Sequence, residues 1–258
     1  MLPLLLFNKI LFYYQVIRNY TMPNPYFKFK QFTVYHDRCA MKVGTDGVLL
    51  GAWADIAKAK DALDIGTGSG LISLMLAQRN TTMRVKAIDI ESEAIAQARY
   101  NIEHSPFAGR VDCEHVSMQE FVKSHAKKYD LIVSNPPFFN KSLRSPNEQR
   151  TLARHTDTLP MEELVALSAL LLTEQGRLAL IYPYEYRDKL TEATYNNSLY
   201  IRRLTNVFPT PSSLPKRILA ELTTIKEETI EDELIIETER HVYSESFTKL
   251  VKDFYLRM

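Results

Sequence analysis

This 258-residue sequence predicts an α/β fold: a seven-stranded, mostly parallel sheet with helices on both faces and a C-terminal antiparallel hairpin. Three observations predict it. Short apolar runs alternate with amphipathic stretches from residue 60 onward, the pattern of repeated strand–helix units. A glycine-rich loop, Asp64-Ile65-Gly66-Thr67-Gly68-Ser69-Gly70, follows the first of those runs and opens a helix. Near the C-terminus two strand-like runs are separated only by the proline-rich link 209–215, too short for a crossover helix, so they pair antiparallel.

The elements follow in order. Residues 26–36 partly alternate apolar and polar side chains and read as a strand or hairpin. Residues 48–54 suit a buried helix capped by Thr45 or Asp46. Strands are expected at 62–65, 84–90, 110–116, 129–134, 177–182, 200–208 and 217–226, and helices at 70–79, 91–104, 117–125, 161–172 and 184–196. Residues 227–233 form an acidic run expected as a solvated loop, and 245–256 a closing amphipathic helix. Residues 1–21 are expected to be a poorly ordered upstream extension, with 22–258 a single domain beginning at Met22. The apolar stretch 1–17 is too short and interrupted for a membrane span, and it lacks the basic start of a signal peptide.

Composition bounds the function. With 45% hydrophobic and 24% charged residues the chain reads as globular. A net charge of +1 means that any polyanion footprint must be local. The two cysteines, Cys39 and Cys113, form no paired motif, and the six histidines show no ligand spacing, so no metal and a reducing, cytoplasmic setting are expected.

Three segments carry chemistry. The glycine loop has the spacing G-x-G-x-G with Asp64 two residues ahead, which suits a cationic ligand and repels a diphosphate. Asp89 ends the second strand, where an acid accepts hydrogen bonds from ribose hydroxyls. Ser134-Asn135-Pro136-Pro137-Phe138-Phe139 ends the fourth: the prolines stiffen the chain and leave carbonyls free, Asn135 can donate and accept, and Phe138 offers a flat ring. That set suits a nucleobase or a primary amide. Downstream, Lys141, Arg144, Arg150, Arg154 and His155 make a basic segment opposed only by Glu148, able to neutralise phosphates.

These segments resemble the class I S-adenosylmethionine-dependent methyltransferases, a Rossmann-like fold, over roughly residues 40–226. The resemblance implies a cofactor site at Asp64, Gly66, Gly68, Gly70, Asp89 and Asn135, with adenine contacts from Ser117 and Met118. It implies catalysis by Asn135, Pro136, Pro137 and Phe138, the Asn-Pro-Pro-aromatic motif of members that methylate a planar nitrogen. Residues 27–54 and 150–155 further resemble the bacterial tRNA1(Val) adenine-37 N6-methyltransferases. That implies S-adenosylmethionine as cofactor, a valine tRNA as partner, and Thr45 and Asp46 as cofactor contacts; no obligate protein partner is evident in the sequence. The motif by itself leaves adenine N6, guanine N2 of ribosomal RNA and a release-factor glutamine open. A nicotinamide-dependent oxidoreductase is disfavoured by the glycine spacing and the terminal hairpin.

Overall fold

The computed structural model describes residues 24–137 and 159–258. The expectations for residues 1–21, Phe138 and the basic segment 141–155 lie outside the described residues.

Twelve strands and seven α-helices are described. An N-terminal hairpin, β1 (Tyr26–Lys28) and β2 (Thr33–Tyr35), precedes α1 (Thr45–Trp53). Then come β3 (Asp61–Ile65), α2 (Leu71–Arg79), β4 (Arg84–Asp89), α3 (Ser92–Glu103), β5 (Val111–His115), α4 (Met118–Ser124) and β6 (Tyr129–Ser134). They are followed by α5 (Met161–Leu171), β7 (Leu172–Pro183), a 3-10 turn (Tyr184–Tyr186), α6 (Arg187–Asn196), β8 (Tyr200–Phe208), β9 (Arg217–Thr223) and β10 (Ile230–Ile235). The small pair β11 (Glu237–Glu239) and β12 (Val242–Tyr243) leads into α7 (Glu245–Val251).

The central sheet has the order β10-β8-β9-β7-β6-β3-β4-β5. β3 through β7 run parallel, and β9 pairs antiparallel with both β7 and β8, as the short 209–215 link requires. The sheet has eight strands rather than seven. Residues 230–233 of the expected acidic loop open β10, which pairs parallel with β8 from Ile230 opposite Arg203 to Ile235 opposite Phe208. The acids conceal this strand because it is an edge, with Glu231, Asp232 and Glu233 all exposed and only Leu234 buried.

Strand side chains alternate between two cores. Ala62, Val85, Ala87, Leu131, Val133, Ala179 and Ile181 face α1, α2, α3 and α7. Leu63, Ile65, Ile88, Ile132, Leu178 and Leu180 face α4, α5 and α6. A two-residue period distributed over two apolar layers is why the strands read as continuous apolar runs.

Three local expectations shift. The cap of α1 is Gly44, in extended conformation and without a side-chain hydrogen bond, so Thr45 and Asp46 open the helix instead of capping it. β7 begins at Leu172, with Gly176 inside it where the pairing with β6 changes register. The closing helix ends at Val251.

Candidate active site

The chain leaves β3 for β4 and β5 on one side, then returns to place β6 on the other side of β3. The crevice outside the carboxyl ends of β3 and β6 is therefore the switch point where ligands bind in open α/β sheets. Ile65 and Ser134 are register partners at that edge, and Ser134 Oγ donates to Ile65 O at 2.8 Å. Gly66 and Asn135 thus stand side by side, each one residue past its paired strand end.

The loop is built from backbone geometry. Gly66, Gly68 and Gly70 adopt φ of 69°, 56° and 81°, a region closed to most side chains. Gly66 N and Thr67 N donate to Ile88 O (2.9 and 3.0 Å), and Gly68 N donates to Asp89 Oδ2 (2.8 Å). A Cβ at Gly66 or Gly68 would meet nothing within 4 Å, so both face open space. One at Gly70 would come 3.4 Å from Ala98 Cβ, so that glycine lets α2 start close against α3.

Asp64 is fully buried. Its Oδ2 accepts from Thr67 Oγ1 (2.7 Å), Ser73 Oγ (2.7 Å) and Ser73 N (3.2 Å), while Oδ1 has no hydrogen-bond partner. Burial pushes its carboxyl up to about 6, against the pull of those bonds. Asp89 accepts from Gly68 N and, through Oδ1, from Glu91 N at 3.0 Å; burial raises it as well.

Asn135 is partly buried and Pro136 buried, with Pro137 exposed. Helix α1 closes the site from the side: a Cβ at Gly47 would lie 3.8 Å from Asn135 Nδ2 and 3.0 Å from Leu71 Cδ2. Asp46 is paired with Arg217 Nε at 2.8 Å. Ser117 caps α4: it accepts from Glu120 N (3.2 Å) and donates to Glu120 Oε2 (2.9 Å), while Met118 is buried in the core beside Ile65 and Ile88. Val116 N donates to Asp89 O (3.0 Å), so the start of α4 adjoins Asp89. Asp64, the three glycines, Asp89, Asn135 and Pro136 therefore share one edge of β4, β3 and β6.

Residues 43–196 match the family model described as the methyltransferase small domain. A tRNA1(Val) (adenine(37)-N6)-methyltransferase of Parabacteroides distasonis is 52% identical over 238 residues, 92% of this chain and 100% of the relative. Its counterpart in Phocaeicola vulgatus is 48% identical, with 92% and 100% covered. The chain belongs to this methyltransferase family. A solved structure of a predicted O-methyltransferase from Agrobacterium tumefaciens shares the fold, with a TM-score of 0.64 and 18% identity over 81% of this chain and 96% of that one.

A methyltransferase needs room for a methyl donor, and the residues of this edge suit one. Two glycines face open space, and one buried carboxylate oxygen lacks a donor beside them, a fit for a positively charged amino-acid-like group.

Several supporting residues escaped the sequence reading. Asn101, almost fully buried, donates to Ser69 O and to Tyr35 O (both 2.8 Å) and accepts from Tyr35 N (2.9 Å), joining the glycine loop to the N-terminal hairpin. Gln97 Oε1 accepts from Arg38 N at 3.3 Å. Their signal was present: Gln97 and Asn101 are four apart on the otherwise apolar stripe Ala94, Ile95, Ala98, Ile102. Ser73 is likewise a small polar residue inside the apolar helix 71–77.

Proposed function

We propose that this protein transfers a methyl group from S-adenosylmethionine to N6 of adenine 37 in the anticodon loop of tRNA1(Val). The observation that carries the chemistry is Asn135, held one residue past the paired end of β6 beside the glycine loop. Membership of the methyltransferase family supports the substrate.

S-adenosylmethionine supplies an electrophilic methyl carbon on a sulfonium. The chain's own residues bind, orient and accept. Gly66, Gly68 and Gly70 admit the cofactor's amino-acid portion to the backbone, and Asp64 Oδ1 takes its ammonium as partner. Asp89 accepts from ribose hydroxyls, its carboxylate held in place by the backbone N–H groups of Gly68 and Glu91. Thr45, Asp46, Ser117 and Met118 border the cofactor. The Ser117 hydroxyl is engaged in its cap, so the adenine-ring contacts there fall to backbone and apolar surface.

An exocyclic amine is a weak nucleophile because its lone pair is delocalised into the ring. Asn135 Oδ1 and the Pro136 carbonyl accept its two hydrogens, which turns the lone pair toward the methyl carbon and offsets positive charge as it develops on nitrogen. Pro137 keeps the turn stiff and Phe138 stacks on the base, worth roughly 1–3 kcal/mol. Lys141, Arg144, Arg150 and Arg154 hold the flanking phosphates. An anticodon-loop base is unpaired, so it enters the pocket with less unstacking than a duplex base. A reducing cytoplasm, where tRNA matures, is the setting.

Labelled S-adenosylmethionine with total unmodified tRNA tests this. N6-methyladenosine confined to a valine tRNA is expected; label in protein or ribosomal RNA but not in tRNA overturns it. Asn135→Ala should lower kcat by at least about a hundredfold, the scale of a lost transition-state acceptor, with a far smaller effect on cofactor affinity, to which Asn135 is one contact among several. Loss of cofactor binding would remove Asn135 from the acceptor role.

A further inference from the structure

Beyond β7 on the same sheet edge lies a cleft of about 480 Å³. One wall is Pro183, Tyr184 and Tyr186, from the end of β7 and its following turn; the other is Leu214, Pro215 and Lys216, ahead of β9. Tyr184 N donates to Lys216 O at 3.1 Å, which ties the walls together.

The cleft continues the active-site edge. Leu180 of β7 is the register partner of Ser134, so Pro183 lies three residues further in the same direction, about 10 Å along the strand. Arg217, at the cleft, pairs with Asp46, and the next residue, Gly47, faces Asn135. The first turn of α1 thus separates the target-base position from the cleft, and both open on one side of the molecule.

Its lining suits nucleotides. Leu214 is 78% exposed, a large apolar side chain left at a rim that also carries two tyrosine rings and two prolines. The Lys189 ammonium sits 5.4 Å from the centroid of the Tyr186 ring, and Lys216 is exposed. Against them stands exposed Glu185 at the same rim. Flat apolar faces with a neighbouring ammonium are what a stacked base and its phosphate require, without sequence preference.

We propose that this cleft binds the nucleotides flanking the methylated adenine in the single-stranded loop of the substrate RNA: a base stacks on the Tyr184–Tyr186–Leu214 surface while Lys216 pairs with its phosphate. The proposal rests on the reading of the Asn135 edge as an RNA methyltransferase site.

The test uses the full chain and the tRNA substrate. Lys216→Glu should raise KM for tRNA about tenfold while kcat and cofactor affinity hold, and Lys216→Ala should reduce the salt slope of tRNA binding by about one. Leu214→Asp should also raise KM, and Glu185→Lys should lower it, opposite movements that a purely structural role does not produce. A stem-loop with 4-thiouridine beside the target adenine should crosslink to residues 183–186 or 214–216. Unchanged KM in all these variants, with crosslinks confined elsewhere, overturns the cleft while wild-type tRNA methylation still stands. A wild-type protein that neither binds nor methylates tRNA overturns the underlying reading instead.

Discussion

Asp64 serves the fold through one carboxylate oxygen and, under the proposed function, the cofactor through the other. Its Oδ2 is saturated by three donors and its Oδ1 by none, and burial holds the group protonated up to about pH 6. A carboxyl raised in the folded state keeps its proton after the unfolded chain has lost it. The contribution of Asp64 to stability therefore falls as pH rises from about 4 to about 6 and is level above that. The ligand-free protein should lose on the order of 2–3 kcal/mol across that window relative to Asp64→Asn, read as the difference between their denaturation midpoints. A cationic ligand beside Oδ1 favours the carboxylate, so cofactor affinity should weaken as pH drops below about 6 in the wild type and lose that dependence in Asp64→Asn. Parallel pH profiles for the two proteins would contradict the assignment. From the sequence, the acid was legible two residues ahead of the glycines. Ser73 and Thr67 as its donors were not, because that pairing depends on how α2 folds back over the strand end.

At the scale of elements, α1 and α2 approach closely at Gly51, where a Cβ would fall 2.7 Å from Met75 Sδ and 3.1 Å from Met75 Cβ. Gly51→Ala should cost about 1–3 kcal/mol through overpacking, and shortening the neighbour with Met75→Ala in the same chain should recover part of it. Denaturant midpoints of the single and double variants measure the coupling; strict additivity would mean that the helices separate without resistance. This contact matters to the site because Gly47, one turn earlier on α1, borders Asn135. The sequence located α1 and its apolar character, while its N-cap was misassigned. Gly44 takes the extended cap conformation with no side-chain bond, and Asp46 is drawn away to Arg217, a residue 171 positions distant. Local capping preference lost to a tertiary ion pair.

Across the whole molecule, β10 is the feature least visible from sequence. Its pairing with β8 is reinforced by Asn206 Nδ2 donating to Glu231 Oε1 (2.8 Å), and Arg187 of α6, bidentate to Glu231 (both 2.8 Å), ties it to the helix layer. Behind it Trp53 Nε1 donates to Thr205 Oγ1 (2.9 Å), and Arg203 lies over the Trp53 ring at 4.3 Å. Exposed acids on such an edge discourage pairing with a second molecule. Glu233→Val should leave the melting temperature close to wild type yet speed aggregation on heating, followed by light scattering. Unchanged aggregation would show that the edge is protected by something other than charge.

The sequence by itself determined the strand–helix alternation, the antiparallel return of β8 and β9, the glycine loop, Asp89 and the Asn-Pro-Pro turn, because each is written in residues close together along the chain. Tertiary structure alone decided that these turns meet, through the Ile65–Ser134 register and the Gly68–Asp89 hydrogen bond. It also decided that Asn101 ties the loop to the hairpin and that an acidic stretch becomes a strand. The physical reason is common to all of these. Each is a pairing between segments that the chain separates by tens of residues, and its partner is chosen by the order of strands in the sheet rather than by any local propensity.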